Sequence, residues 1–118
     1  MFNVSGLSIQ ISAGDTGVIR FEIEGTSLTE KDRGVFTVKN RNGMIMIKKI
    51  IQPERKNEIC VPFVNGDTEH LTPGVYEWDM RIAIKAKIAE NGDVVDGESV
   101  VTPYLPARFT VLKVVGNV

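Results

Sequence analysis

Two residue types with catalytic potential, histidine and cysteine, occur once each in this chain. His70 follows Glu69 just before a turn, where a histidine could act as a general base. A catalytic triad or a metal site needs partners that the sequence does not place, so the pattern favours a solvated loop histidine. Cys60 lies between Ile59 and Val61, which indicates a buried, inert thiol rather than a nucleophile.

A loop at residues 90–98 is the next place where side chains could act together. It contains four carboxylates and no basic residue. Calcium takes about six to eight oxygen ligands, and Asp93, Asp96 and Glu98 would supply some of them. The spacing is not that of an EF-hand loop, and the Asn-Gly and Asp-Gly pairs are ordinary hairpin turns. We therefore expect a turn without a metal here, and no cofactor elsewhere in the chain.

A third cluster, at residues 39–56, contains six basic residues and one acid, Glu54. It could bind phosphate, but no aromatic residue is interleaved with it for base stacking. The cluster therefore predicts a solvated face or one side of a subunit contact. The net charge of −1 gives no general attraction to nucleic acid or to anionic membranes, and we expect neither as a partner.

The length of 118 residues fits one domain, 1–118, whose core needs no disulfide or metal. A single cysteine excludes an internal disulfide framework. The first basic residue is Arg20, and residues 1–11 contain no continuous apolar stretch, so we expect no signal peptide. No apolar run approaches the ~18 residues of a membrane helix, which predicts a soluble protein.

The clearest structural signal is the alternation of apolar and charged residues along residues 75–88. A period of two indicates a β-strand with one buried face, because successive side chains leave a strand on opposite sides. At roughly 3.3 Å per residue the run could reach about 40 Å, so we expect a bulge or a projecting hairpin to interrupt it. The predicted core residues are Tyr76, Trp78, Met80, Ile82, Phe21 and Phe109.

Turn residues divide the rest of the chain into short segments that also alternate. These segments lie at residues 7–11, 19–23, 36–38, 44–51, 58–64, 99–102 and 108–115. This spacing predicts seven to nine strands in an antiparallel sandwich or barrel, with at most one helical turn near residues 26–33. Pro62, Pro103 and Pro106 should lie at strand ends or edges, since proline cannot donate to a strand ladder.

The residues just before the long strand predict a specific kind of turn. Pro73 and Gly74 force the chain to turn, and the Tyr76 hydroxyl can return to the turn backbone as in a tyrosine corner. Asp79 and Arg81 then share the outer face of the strand, where they can pair with each other or with a neighbouring strand.

Three stretches together resemble a known family. They are Gly14-Asp15-Thr16-Gly17, then Leu71-Thr72-Pro73-Gly74-Val75-Tyr76-Glu77-Trp78-Asp79-Met80-Arg81, and finally residues 92–103 before the last strand. The middle stretch is similar to the signature L-x-P-G-x-Y-x-W/Y-D-I-R, with Met80 where isoleucine is typical. In this order the three resemble small immunoglobulin-like β-sandwich proteins of bacteriophage and prophage tails and baseplates, similar to the N-terminal module of baseplate upper proteins.

The resemblance implies an immunoglobulin-like antiparallel β-sandwich and a non-enzymatic, structural role through protein–protein contacts. The implied partners are other tail or baseplate proteins. The implied location is the virion, after synthesis in the cytoplasm of the bacterial host.

Two other classes of function are less favoured by the residues. A carbohydrate-binding or adhesion module of a bacterial surface system needs exposed aromatic residues, and only Phe2, Tyr104 and Phe63 lie outside the predicted core. An enzyme needs two or more titratable groups that converge, and His70 has no evident partner. We therefore expect no enzymatic activity.

Two segments are candidates for contact with another chain. Residues 44–51, with the sequence Met-Ile-Met-Ile-Lys-Lys-Ile-Ile, are apolar on both faces, so one face would meet a partner. Residues 102–106 are proline-bounded and extended, which suits contact along another subunit. The candidate interface residues are Met44, Met46, Tyr104 and Leu105. We expect a homo-oligomer or a site filled inside a particle, although lysines at a strand edge, here Lys48 and Lys49, commonly block pairing.

Overall fold

The computed structural model of the chain describes residues 2–5, 7–25 and 27–114, with backbone alone for residues 2–5 and 101–105. In chain order the described elements are β1 (Phe2–Ser5), β2 (Ser8–Ser12), β3 (Gly17–Glu22), β4 (Arg33–Lys39), β5 (Ile45–Ile51), β6 (Glu58–Phe63), α1 (Asn65–Thr68), β7 (Gly74–Ile84), β8 (Lys87–Ile88), β9 (Val94–Asp96) and β10 (Ser99–Leu112). The predicted all-β sandwich is confirmed, but the described residues form ten strands rather than seven to nine.

The larger sheet has six strands in the order β1-β2-β10-β7-β4-β5. Its pairs are antiparallel except for β2 and β10, which run parallel with Ile9 opposite Phe109 and Ile11 opposite Val111. The expectation of a wholly antiparallel sandwich was therefore wrong. Parallel neighbours need a long connection, and here most of the chain lies between the two strands.

The smaller sheet consists of β3 and β6, with Ile19 opposite Val61 and Phe21 opposite Ile59. It packs on one face of the larger sheet, and aromatic rings meet between the two layers. The Trp78 ring lies 5.4 Å from the Phe21 ring and 5.5 Å from the Phe36 ring, centroid to centroid. In antibody domains a disulfide joins the two sheets and a buried tryptophan packs against it. Here ring contacts join the layers instead.

The long strand β7 alternates as its sequence predicts, but it ends at Ile84. Its neighbour Lys85 has a positive φ of 48°, which turns the chain away from the sheet into the short β8–β9 hairpin. The predicted interruption by a projecting hairpin is confirmed. The alternation continues through Ile88 in the sequence, yet the Ile88 side chain is exposed because it belongs to the hairpin.

A buried carboxylate fixes the point where the hairpin leaves the sheet. Asp32 is 2% exposed, and its Oδ1 accepts a hydrogen bond from the Lys85 backbone N–H at 2.9 Å. Its Oδ2 accepts a second bond from the Thr29 N–H at 2.7 Å. The described residues between β3 and β4 therefore form a loop organised by Asp32, not the helical turn expected near residues 26–33.

The connection from β6 to β7 contains the only helix among the described residues, the single turn α1, where we predicted a plain turn. The Thr68 hydroxyl on this turn is fully buried and accepts a bond from the Gly14 N–H at 2.9 Å. Farther on, the Tyr76 hydroxyl donates to the Thr72 carbonyl at 2.7 Å. The predicted tyrosine corner is therefore present, and α1 clamps the β2–β3 turn.

The last two predicted strands, at residues 99–102 and 108–115, are one strand, β10. The pairing of β10 with β7 shifts register twice, between Val101 and Tyr104 and between Tyr104 and Ala107. Irregularities of this kind admit prolines into a strand, which explains why Pro103 and Pro106 do not divide it. Residues 102–106 are extended, as expected, but their backbone runs along β7 of the same chain.

Candidate functional site

The candidate site is one of the two outer edges of the larger sheet, the edge formed by β5; β1 forms the other. One side of the β5 backbone pairs with β4, and no described strand pairs with the other side. Such an edge presents unpaired N–H and C=O groups that can pair with a strand of another chain. Within β5 there is no proline. Its pairing with β4 is regular from Ile47 to Ile51 and shifts register between Ile45 and Ile47.

Apolar side chains are concentrated at the start of this edge. Met44 is 61% exposed and Ile45 is 54% exposed, whereas Ile47 is buried in the core. Met46 is half-buried and packs against the core. Of the predicted interface residues, Met44 and Met46 therefore lie together at the edge, with Met46 partly covered by its own chain.

The other two predicted interface residues, Tyr104 and Leu105, lie in β10, which is separated from β5 by β7 and β4. Their side chains lie outside the described residues. The two predicted contact segments thus belong to different places in the sheet.

Both lysines of the edge have carboxylate partners in the same chain. Lys48 Nζ lies 2.9 Å from Asp93 Oδ1 in the β8–β9 hairpin. The hydrogen bond and charge of Lys48 lower the pKa of the Asp93 carboxyl below its ordinary value. Lys49 Nζ lies 2.8 Å from Asp67 Oδ2 of α1 and 5.5 Å from the centre of the Phe63 ring. The positive charges that would guard the edge are therefore neutralised.

The rest of the basic cluster does not converge with these lysines. Lys39 and Arg41 line an open cavity of about 570 Å³ at one end of the sheet, together with Glu77 and Arg108. Lys39 on β4 and Arg108 on β10 are both directly opposite Glu77 on β7. No ion pair between Glu77 and either residue is found within the described residues. The same holds for Asp79 and Arg81 within the described residues. These charges form a solvated face.

The acidic hairpin lies over the face of the larger sheet that points away from the smaller sheet. Val94 lines a groove of about 180 Å³ with Val35, Ala83 and Val100. Ala83 lies on the face away from the core, yet it is only 6% exposed. Gly97 permits close packing, since a Cβ atom there would lie 3.3 Å from the Ala83 Cβ.

The acidic residues considered for calcium each have a separate contact. Asp93 pairs with Lys48, Glu98 Oε2 lies 3.0 Å from Lys85 Nζ, and Asp96 Oδ1 accepts a bond from the Gly97 N–H. Within the described residues, no group of three or more histidine, cysteine, aspartate or glutamate side chains comes together as a metal site.

The single histidine and cysteine lie in different environments. His70 is exposed in the turn before β7, as predicted. Cys60 is half-buried rather than buried, because the buried face of β6 carries its neighbours Ile59 and Val61. Burial and a hydrogen bond from Cys60 Sγ to Glu58 Oε1, at 3.4 Å, raise the pKa of the thiol.

One aromatic residue considered for sugar binding is not available. Phe63 is 2% exposed and stacks on Phe109, with ring centres 5.8 Å apart. The side chains of Phe2 and Tyr104 lie outside the described residues.

Sequence reasoning missed the partners of the edge lysines and the buried polar residues Asp32 and Thr68. The spacing Thr29-x-x-Asp32 is a local signal for a side chain that bonds to its own loop. No comparable signal connects Lys48 to Asp93, because 45 residues separate them and only the fold brings them together.

No family model, curated protein or solved structure matches the chain. Among the described residues, no helix has the length and apolar character needed to cross a membrane.

Proposed function

We propose that the chain is a non-enzymatic structural component of a bacteriophage or prophage tail or baseplate, acting through protein–protein contacts. Support comes from residues 71–81, which resemble the signature of such proteins and here build the turn with the Tyr76–Thr72 bond. The observation that carries an assembly role is the β5 edge. It combines a side with no described partner strand, exposed Ile45 with exposed Met44 just before it in the β4–β5 turn, and lysines whose charges are already paired.

Strand addition is the contact that this edge supports best. An added strand would make main-chain hydrogen bonds to β5 while its side chains cover the exposed apolar residues. Proteins that must stay monomeric commonly guard such edges with free lysines, prolines or bulges. The start of β5 has a register shift between Ile45 and Ile47, and its two lysines are held by Asp93 and Asp67, so the regular stretch Ile47–Ile51 is the part open to an added strand.

The particle role is tested first by genomic neighbourhood. Genes for tail fibre, tape-measure or lysis proteins beside this gene would support it, and a polysaccharide-utilisation cluster would contradict it. In a strain that carries such a prophage, mass spectrometry of purified induced particles should detect the chain.

The role of the edge is tested by substitution in the same strain. We expect Met44→Lys to lower incorporation into particles at least tenfold, because it adds an unpaired charge to the contact. Val18→Lys is the matched control, since Val18 is 55% exposed on β3, which belongs to the other sheet. Equal incorporation of both variants would exclude the β5 edge as the assembly contact.

A further inference from the structure

We infer that the β8–β9 hairpin, residues 85–98, is a strap that opens from the outer face of the larger sheet as a unit while both sheets stay folded. Its base remains attached to the sheet. The Lys48–Asp93 ion pair near its tip and the packing of Val94 keep it closed. This opening does not depend on the proposed particle role.

The base of the hairpin is fixed on both of its sides. On the outgoing side, the Lys85 N–H donates to Asp32 Oδ1 at 2.9 Å, and the positive φ of Lys85 turns the chain out of the sheet. On the returning side, the Glu98 N–H donates to the Ile84 carbonyl at 2.8 Å. Movement of the hairpin is therefore confined to the residues beyond these two bonds.

Beyond the base, one polar contact joins the hairpin to the sheet. Across the described part of the chain, residues 87–96 make a single hydrogen bond or ion pair outside the hairpin, from Lys48 Nζ to Asp93 Oδ1 at 2.9 Å. Lys48 lies on β5, two strands from β7, so the hairpin reaches roughly 10 Å across the sheet at the usual strand spacing. Both side chains are more than a third exposed, and exposed ion pairs of this kind are weak.

The apolar contact between the hairpin and the sheet is also small. Val94 lines the groove of about 180 Å³ with Val35 and Ala83, whereas Ile88 and Val95 of the hairpin are 41% and 66% exposed. Strands β8 and β9 contain two and three residues, and an isolated two-stranded hairpin is marginally stable in water. Segments with few buried apolar contacts open at a lower free energy than the whole domain. The hairpin beyond its base is such a segment.

Opening changes two surfaces of the molecule. It uncovers Val35 and Ala83, and Ala83 is only 6% exposed in the closed position although it lies on the face away from the core. It also separates Asp93 from Lys48, which returns a free positive charge to β5. Minor states of this kind commonly have populations of about 0.1–10%, and we expect an open population on the order of 1%.

The thiol reactivity of Ala83→Cys measures the open population. In a Cys60→Ser background, a neutral disulfide reagent should react with this thiol at on the order of 1% of its rate in the denatured chain. The rate should be nearly independent of urea at low concentration, because local opening exposes little surface. Val75→Cys is the control, since Val75 is 52% exposed on the same strand and its thiol should react at close to the denatured rate. A thiol at residue 83 that reacts only through global unfolding, with the full urea dependence, would overturn the opening.

Val35→Cys repeats the measurement on β4, on another strand that lines the same groove. It replaces the first probe where the Ala83→Cys chain does not fold. We expect the same weak dependence on urea at both positions. Rates equal to those of the denatured chain at both positions would show that the hairpin does not cover this face.

Asp93→Asn tests the ion pair of the hairpin. Asparagine has nearly the same size but lacks the charge that holds Lys48, so we expect the rate at Ala83→Cys to rise about twofold to fivefold. With Asp93 present, about 1 M salt should raise the rate by a similar factor, and with Asp93→Asn it should not. Asp96→Asn is the matched control, because Asp96 is exposed and its carboxylate bonds only within the hairpin among the described contacts. Equal rates for the two variants would overturn the role of the ion pair.

Val94→Ser tests the apolar contact separately. The polar side chain fills the groove less well, and we expect the rate at Ala83→Cys to rise at least about fivefold. Val95→Ser is the matched control, because Val95 is the next residue and is 66% exposed. It should change the rate by less than about twofold. Equal effects of the two substitutions would show that packing of Val94 does not hold the hairpin closed.

Discussion

At the scale of single residues, Trp78 connects three parts of the molecule through one side chain. Its ring packs against Phe21 of the smaller sheet and Phe36 of the neighbouring strand. Its Nε1–H donates to the carbonyl of Leu7, the residue just before β2, at 2.8 Å. The ring thus fills the space between the layers and holds the N-terminal part of the larger sheet.

We predict that Trp78→Ala lowers the free energy of unfolding by about 3–5 kcal/mol, the usual cost of deleting a large buried aromatic side chain. Denaturant melts monitored by circular dichroism measure it. Val18→Ala, at an exposed position of β3, should change stability by no more than about 0.5 kcal/mol. A loss under about 1 kcal/mol for Trp78→Ala would contradict the central position of the ring.

Cys60 lies on the partly exposed face of β6, so its reactivity can be measured in the folded protein. Burial and the hydrogen bond to Glu58 favour the neutral thiol and raise its pKa. Because the thiolate is the reactive form, we expect Cys60 to react with a disulfide reagent more slowly than the denatured chain at pH 8. The rate should also rise with pH over a higher range in the folded protein. Equal rates in the folded and denatured states would contradict this environment.

The core residues could be predicted from the sequence because each follows from a local period of two. Trp78, Met80 and Ile82 are all buried, and Tyr76 is partly exposed because it lies near the start of β7. The partners of Lys48 and Lys49 could not be predicted, since each is a carboxylate brought close by the fold. The candidate site depends on these contacts. The sequence therefore indicated the apolar residues of the β5 edge, but not that carboxylates pair with its two lysines.

At the scale of elements, the two sheets approach closely where β4 lacks a side chain. Gly34 is buried, and a Cβ atom there would lie 2.8 Å from Ile59 Cδ1 of β6 and 3.3 Å from Met80 Sδ. The glycine therefore sets the distance between β4 and the opposite layer. By contrast, a Cβ atom on Gly66 in α1 would meet nothing within 4 Å.

These two glycines should respond to alanine in opposite directions. We expect Gly34→Ala to lower the free energy of unfolding by about 1–3 kcal/mol, because the added methyl group overpacks the core. Gly66→Ala should raise it by about 0.5–1 kcal/mol, because alanine loses less backbone entropy in a helical turn. Thermal and urea melts of both variants test the pair. A stabilised Gly34→Ala protein would show that the sheets can separate without cost.

The base of the β8–β9 hairpin gives a second prediction at this scale. Asp32→Ala removes the acceptor for the Lys85 and Thr29 N–H groups, and we expect a loss of about 2–3 kcal/mol. Hydrogen exchange should increase first at Lys85 and Thr29. Asp96→Ala is the control, because Asp96 is exposed and bonds only to the adjacent Gly97 within the described contacts. Equal losses for the two variants would contradict the anchoring role of Asp32.

At the scale of the whole molecule, the two packed layers of strands could be predicted from the sequence. The pairing of the N-terminal strand β2 with the C-terminal strand β10 could not. Alternation and turn residues identify most strands of both sheets, because each strand buries one of its own faces. The parallel pairing of β2 with β10 joins residues about 100 positions apart, and no local pattern specifies such a neighbour. The same limit applies to β10, whose prolines suggested two strands where register shifts allow one.

The position of β10 in the larger sheet makes a truncation informative. A chain ending at residue 98 would lack the strand that lies between β2 and β7. We expect it to be unfolded, with protease sensitivity along its whole length, because Ile9 and Ile11 would lose the strand that covers their edge. Limited proteolysis and circular dichroism measure this. A folded truncated chain would show that β2 has another partner.

The place of β10 also sets an order of events during synthesis. Ribosomes add about 5–20 residues per second, so Val111 is made roughly 5–20 s after Ile11, its neighbour in the finished sheet. During that interval β2 has no final partner on its β10 side, and the apolar residues of β5 have already been synthesised. A nascent chain in this state exposes both segments to other chains on the same messenger RNA. We therefore expect slower translation to increase aggregation of this protein, and a chaperone that binds extended apolar segments to lower it.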